Sequence, residues 1–133
     1  MIQTIQSRIR ESIKTKEKLL VNNALIDQLE CLAKDCLDAL RSGGKIIFAG
    51  NGGSFADAQH LSADFTSRFL FDRAPLPSLA LGTKNSAISA IGNDYGFNYV
   101  FARELQTIAK PADVFIGIST SGNSPNILSA IQC

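Results

Sequence analysis

The stretch that decides the fold is Lys45-Ile46-Ile47-Phe48-Ala49-Gly50-Asn51-Gly52-Gly53-Ser54-Phe55-Ala56-Asp57-Ala58-Gln59-His60. It opens as a short apolar run, the pattern of a buried strand over 45–49. Gly50-Asn51-Gly52-Gly53-Ser54 follows, too rich in glycine for either strand or helix. A helix is then expected from about Phe55 to about Phe69, carrying Asp57, His60 and Asp64. Strand, tight polar loop and helix start form a geometry suited to an anion. The first N–H groups of a helix lack intrahelical partners, and the macrodipole places partial positive charge there. Glycine lets the backbone come close to a phosphate, and Ser54 can cap the helix or donate its hydroxyl. The same residues also suit an ordinary strand-to-helix turn, since they form neither a Walker loop nor a G-x-G-x-x-G motif.

A second stretch repeats the pattern. Asp113-Val114-Phe115-Ile116-Gly117-Ile118 reads as a strand, and Ser119-Thr120-Ser121-Gly122-Asn123-Ser124-Pro125-Asn126 leads into a helix. Ser124 stands where an N-cap belongs and Pro125 where the first helical residue belongs. Three hydroxyls in succession exceed what a polar turn requires, so this loop is the stronger candidate for wrapping a phosphate. Between the two copies, Ser78-Leu79-Ala80-Leu81 reads as a strand. Thr83 to Ile91 reads as a short helix closed by Gly92, Asn93-Asp94-Tyr95-Gly96 as a polar turn, and Val100 to Ile108 as a helix. Alternating strands and helices imply a parallel sheet, and such sheets bind ligands at the carboxyl ends of their strands, where both loops fall. Two anion-friendly loops on one edge suggest a phosphorylated small molecule.

Upstream, Ile2, Ile5, Ile9 and Ile13 recur at helical spacing among charged residues. This narrow apolar stripe needs a partner, either the next helix or another subunit. Leu25, Ile26, Leu29, Leu32, Ala33, Cys36, Leu37 and Leu40 form a wider stripe, which Gly43-Gly44 terminates. The expected organisation is a single domain over 1–133, with helices over 1–42 and an α/β core over 45–133. At 133 residues the chain can bury a real core. A net charge of +1 and the lack of a basic cluster argue against direct nucleic-acid binding. No apolar run approaches a bilayer span, and the N-terminus lacks a signal-peptide apolar region. Cys31, Cys36 and Cys133 show no C-x-x-C spacing, which fits a reducing cytoplasm and gives no metal or disulfide framework.

Asp57, His60 and Asp64 are three and four residues apart, so they share one helical stripe. A His and a carboxylate at i, i+4 can share a divalent metal or work as an acid/base pair. They can equally form an ion pair on a solvated helix face. His60 is the only histidine, so no other imidazole in this chain can complete a metal site.

Taken in order, Gly50-Asn51-Gly52-Gly53-Ser54, Asp57-Ala58-Gln59-His60, Gly92-Asn93-Asp94-Tyr95-Gly96-Phe97 and Gly117-Ile118-Ser119-Thr120-Ser121-Gly122-Asn123-Ser124 resemble the phosphoheptose isomerases of the sugar isomerase (SIS) domain group. The resemblance extends from Leu25 to the last residue. It implies a three-layer α/β/α fold around the parallel sheet, with an N-terminal helical extension, in a cytoplasmic homotetramer. The implied reaction interconverts sedoheptulose 7-phosphate and D-glycero-D-manno-heptose 7-phosphate, supplying heptose to bacterial surface polysaccharide. Carried over by position, Ser119, Thr120, Ser121 and Ser124 would hold the phosphate. Asn51, Gly52, Gly53, Ser54, Asn93 and Asp94 would contact the sugar. His60 and Asp64 would bind zinc, and Asp64, with His60, would carry the proton chemistry.

Two departures from the family pattern matter. The family has Glu where this chain has Asp64, and one methylene fewer withdraws the carboxylate by ~1.5 Å. Misplacement of about 1 Å can cost on the order of 100-fold in rate. The family pattern also continues past the position of Cys133, with a closing helix that brings a Gln and a second His. The core is therefore expected to be incomplete at its C-terminus, and the 133 residues alone are expected to bind sugar phosphate better than they turn it over. Two other readings follow from the same residues. One is a non-catalytic SIS module that senses sugar phosphate or serves as an adaptor for a replication initiator. The other is an isomerase of a hexose phosphate.

Overall fold

The computed structural model describes residues 1–133. Its backbone divides into two units, Met1–Asp35 and Cys36–Cys133. The first unit holds α1 (Ile2–Leu20) and most of α2 (Asn23–Arg41). Every residue of α1 is exposed, including the isoleucine stripe. The last turns of α2 belong to the second unit, where Ala39 is buried and Cys36 and Leu40 are partly buried. Helix α2 closes on the two glycines as expected: the Gly43 N–H donates to the Leu40 carbonyl and the Gly44 N–H to the Ala39 carbonyl.

The second unit is built on β1 (Ile46–Gly50), the strand of the opening stretch. All five of its residues are buried, so an unbroken apolar run is what this position demands. Strand β1 lies in the middle of a three-stranded sheet, with β2 (Ser78–Ala80) on one side and β3 (Val114–Ile118) on the other. Both pairings are parallel, with Ile46 opposite Ser78 and Val114, and Phe48 opposite Ala80 and Ile116. The polypeptide leaves all three strands at the same edge.

Alternation along β1 assigns residues to the two faces. Ile47 and Ala49 join Leu81, Val100, Phe101, Leu105, Ile127 and Ala130 in one core cluster. That cluster lies under α4 (Asn85–Asp94), α5 (Val100–Ile108) and α6 (Pro125–Ile131). Ile46 and Phe48 join Ala39, Ala58 and Ala80 in a second cluster on the opposite face, under α3 (Gly53–Thr66) and the end of α2. Helices on both sides of one parallel sheet make three layers, α/β/α, as expected.

The element boundaries that differ most are those of α3 and α4. Helix α3 begins at Gly53 rather than Phe55 and ends at Thr66 rather than near Phe69. Its end is fixed by Arg73, which donates from Nη1 to the Phe65 carbonyl at 2.9 Å and from Nη2 to the Asp64 carbonyl at 2.7 Å. Phe69, Leu70 and Phe71 lie beyond it and are exposed. Helix α4 runs through Gly92 instead of stopping there, so Asn93 and Asp94 form its last turn and the chain turns at Tyr95-Gly96. Arg103 stacks on the Tyr95 ring at 3.7 Å, holding that turn against α5.

At the edge opposite the loops, Asp113 anchors the start of the sheet. It accepts from the Lys45 N–H at 2.9 Å, from the Lys45 ammonium, and from the Lys110 N–H at 2.8 Å. Burial pushes this carboxyl upward, but the bonds from Lys45 and Lys110 outweigh it and hold the group below its ordinary value.

Candidate functional site

The first loop begins where β1 ends. At Gly50 a Cβ would stand 2.3 Å from the Ser54 carbonyl oxygen, so only glycine lets the first turn of α3 close on the strand. Gly52 has φ 54 and ψ −117, a conformation that favours glycine, and it serves as the N-cap of α3. The Phe55 and Ala56 N–H groups both donate to the Gly52 carbonyl. Ser54 therefore stands inside the helix, half-buried, and makes no capping bond; the expected Ser54 cap is replaced by Gly52. The helix starts earlier because glycine reaches the needed dihedrals without a side-chain oxygen to steady them.

The second loop follows β3. Its three serine hydroxyls gather: Ser119 Oγ lies 2.9 Å from Ser124 Oγ and 3.4 Å from Ser121 Oγ. The Gly122 N–H donates to the Ser119 carbonyl, and the Asn123 N–H donates to Ser121 Oγ at 3.1 Å, so the loop folds back on itself. Ser124 is the N-cap residue and Pro125 the first residue of α6, as the sequence implies. The Ser124 side chain makes no capping bond; its carbonyl accepts from the Ile127 and Leu128 N–H groups. Thr120 and Ser121 are exposed and Ser119 and Ser124 half-buried, so the cluster opens to solvent. Grouped hydroxyls of this kind can converge on an anion.

The two loops are joined. Asn51 Nδ2 donates to Asn126 Oδ1 at 2.8 Å, and Asn126 Nδ2 donates back to Asn51 Oδ1 at 2.8 Å. Asn51 and Gly52 also line a cavity of about 170 Å³ with Phe55, Gly82, Phe97 and Phe101. Gly82, in the turn just after β2, is held by the buried Glu104, whose Oε2 accepts the Gly82 N–H at 2.7 Å. Sequence reasoning gave no site role to Asn126, Glu104 or Arg73. Asn126 carried the one available signal, as a polar residue in the first turn of a helix right after the hydroxyl loop.

On α3, His60 Nε2 lies 3.6 Å from Asp64 Oδ2, with His60 largely exposed and Asp64 partly buried. His60, Asp57, Leu61 and Ile118 line one groove, so the His60 face of α3 borders the end of β3. Asp64 also borders an apolar pocket formed with Leu61, Phe65, Phe69, Leu70, Phe71 and Arg73. Asn93 and Asp94 are placed elsewhere. Asn93 Nδ2 donates to Asp94 Oδ1 at 2.8 Å, and both line a groove on α4 with Asn85, Ser86 and Ser89. Within this one chain the two loops therefore come together at the strand ends, His60 shares a groove with Ile118 at the end of β3, and neither Asp64 nor Asn93–Asp94 joins the loops. No group of three or more His, Cys, Asp or Glu side chains converges in the structure.

Residues 9–133 match the SIS domain family. The chain belongs to that family. This SIS chain is 51% identical to a phosphoheptose isomerase of Aneurinibacillus thermoaerophilus over 128 residues, 96% of this chain and 65% of that protein. It is 50% identical to a phosphoheptose isomerase of Solidesulfovibrio magneticus over 98% of this chain and 63% of that protein. It superposes on the structure of a phosphoheptose isomerase from Neisseria gonorrhoeae with a TM-score of 0.87 and 39% identity, over 99% of this chain and 68% of that one. The SIS chain thus spans about two thirds of the length of the proteins it matches, and no helix in it is long and apolar enough to cross a membrane.

Proposed function

We propose that this chain serves the aldose–ketose isomerisation of sedoheptulose 7-phosphate to D-glycero-D-manno-heptose 7-phosphate. The gathering of Ser119, Ser121 and Ser124 hydroxyls beside the glycine-rich loop is the observation that carries the reading. Similarity to proteins named phosphoheptose isomerase supports the choice of sugar. Ser119, Thr120, Ser121 and Ser124 hold the phosphate, while Asn51, Gly52, Gly53, Ser54, Asn93 and Asp94 meet the sugar chain. The Asn93–Asp94 pair reaches a sugar from a neighbouring subunit, as a homotetramer allows. The exposed isoleucine stripe of α1 supports self-association. The setting is the cytoplasm, with heptose passing to surface polysaccharide.

The chemistry needs a base beside the carbonyl. The Asp64 carboxylate takes a proton from C1 of the ketose, and the freed electron pair forms the C1=C2 bond of an enediol as the C2 oxygen gains a proton. Return of the carbon proton to C2, with loss of the O1 proton, leaves the aldehyde at C1. The carbon skeleton is unchanged and no external oxidant or reductant is required. His60, 3.6 Å from Asp64, moves the proton between the two oxygens.

Zinc is the cofactor that the resemblance implies at His60 and Asp64. Catalytic zinc takes three protein ligands, and this pair supplies two. The residues of this chain do not complete that set, and no step above runs through a metal.

Turnover of sedoheptulose 7-phosphate in deuterated water, followed by proton NMR, tests the proposal. Deuterium should enter at C2 of the aldose. Asp64→Asn should slow both turnover and exchange by at least ~100-fold while keeping sugar-phosphate affinity within several-fold. Undiminished turnover in that variant, or failure of the unaltered protein to bind the sugar phosphate, overturns the reading.

A further inference from the structure

We propose that Asn126 is a positioning residue, whose amide, locked to that of Asn51, holds the two ligand loops at a fixed separation and makes the site select a sugar phosphate over free phosphate. The inference rests on the function proposed above. Its evidence is the reciprocal amide pair, two bonds of 2.8 Å between residues 75 positions apart in the chain. Asn126 is 2% exposed, and Asn51 is partly buried.

A primary amide is the side chain this job requires. Each carboxamide offers two N–H donors and two acceptor lone pairs. In the reciprocal pair each spends one donor and one acceptor on the other, which fixes both the rotation and the flip of each group. Asn51 keeps one N–H and one lone pair for a ligand in the cavity it lines with Gly52 and Phe55. Asn126 lies two residues after Ser124, so the rigid start of α6 ties the hydroxyl cluster to the pair. A ligand with a phosphate at one end and hydroxyls at the other must touch both loops at once, and its affinity depends on their spacing. Inorganic phosphate touches the hydroxyl loop alone, so its affinity does not.

The pair could instead be a staple that matters only for folding. The ratio of two affinities separates the roles, measured by calorimetry on the full chain with sedoheptulose 7-phosphate and with inorganic phosphate. Asn126→Leu keeps the shape and removes the amide. It should weaken sugar-phosphate binding tenfold or more and change phosphate binding by less than twofold. Asn126→Asp gives a pH signature that a staple would not. When protonated, its carboxyl O–H donates to Asn51 Oδ1 and its carbonyl accepts from Asn51 Nδ2, restoring the pair. When ionised, it sets an oxygen against Asn51 Oδ1. The affinity ratio of this variant, relative to the unaltered protein, should therefore rise between pH 8 and pH 5.5. It also supplies the measurement if the leucine variant fails to fold.

An unchanged ratio in both variants, or equal loss for both ligands, overturns the proposal. Failure of the unaltered protein to bind sedoheptulose 7-phosphate overturns the isomerase reading instead. The pairing is then judged in free protein by NMR exchange of the Asn51 side-chain amide protons. Exchange should be slower in the unaltered protein than in Asn126→Leu, and equal rates overturn it.

Discussion

Replacing Ser124 with alanine should separate ligand affinity from stability. A serine at a helix N-cap normally bonds the backbone, and its loss costs about 0.5–2 kcal/mol. Here the hydroxyl makes no such bond and lies 2.9 Å from Ser119 Oγ instead. The folded protein therefore loses one neutral hydroxyl pair, worth about 0.5–1 kcal/mol at the half-buried position. Ser119 can compensate by turning toward Ser121, 3.4 Å away. On a chain of this size the melting temperature should fall by no more than about 4 °C. Binding should suffer more. A hydrogen bond to a charged phosphate is worth about 1.5–3 kcal/mol, or roughly 10- to 100-fold in affinity. In Ser121→Ala/Ser124→Ala the losses should add to less than their sum, because both hydroxyls share Ser119 as a neighbour. Thermal melting by circular dichroism and calorimetric titration with sedoheptulose 7-phosphate provide the two readings. Unchanged affinity in the double variant, with the fold intact, would refute the assignment of this loop to phosphate.

Two further outcomes follow from the scaffold. Asp113 has a folded pKa below its ordinary value of 3.8, so its stabilisation is fully present above that value and is lost as pH falls through the folded one. Asp113→Asn should be less stable than the unaltered protein at neutral pH and show a shallower loss of stability below about pH 4, measured by urea unfolding across an acid series. Gly50→Ala should cost about 1–3 kcal/mol or more, because the new methyl would meet backbone at Ser54 and not a movable side-chain tip. Guanidinium unfolding checks it, and a loss under about 0.5 kcal/mol would show that the β1–α3 junction yields easily.

The sheet was legible because its strands obey a simple rule. Ile46-Ile47-Phe48-Ala49 is apolar without alternation, as burial on both faces demands, and the structure buries all four. Order along the chain then implied parallel pairing, which the register bears out. Boundaries were less legible where a tertiary contact sets them. Nothing local says that α3 must stop at Thr66; Arg73 imposes it by binding carbonyls from outside the helix. Gly92 reads locally as a stop, but α4 carries on past it, with Ile88 and Ile91 before it packed against the core cluster and Arg103 stacked on Tyr95 just beyond it. Packing outweighs the roughly 1 kcal/mol that glycine costs inside a helix.

The site divides along the same line. Each loop announced itself through composition, since runs of glycine and of hydroxyls have few structural uses and one shared chemical use. What composition could not say is how the loops stand to one another. That information lies in Asn51 and Asn126, 75 residues apart, one read as a sugar contact and the other given no role until the fold sets them face to face. His60 and Asp64 show the converse. Their helical spacing correctly placed them within reach of each other, at 3.6 Å, because i, i+4 geometry needs no tertiary knowledge. Whether such a pair does chemistry depends on what surrounds it, and here His60 shares a groove with Ile118 at the end of β3 while Asp64 borders the apolar pocket of Phe65, Phe69 and Phe71. The parallel sheet delivers both loops to one edge, and the amide pair ties them there.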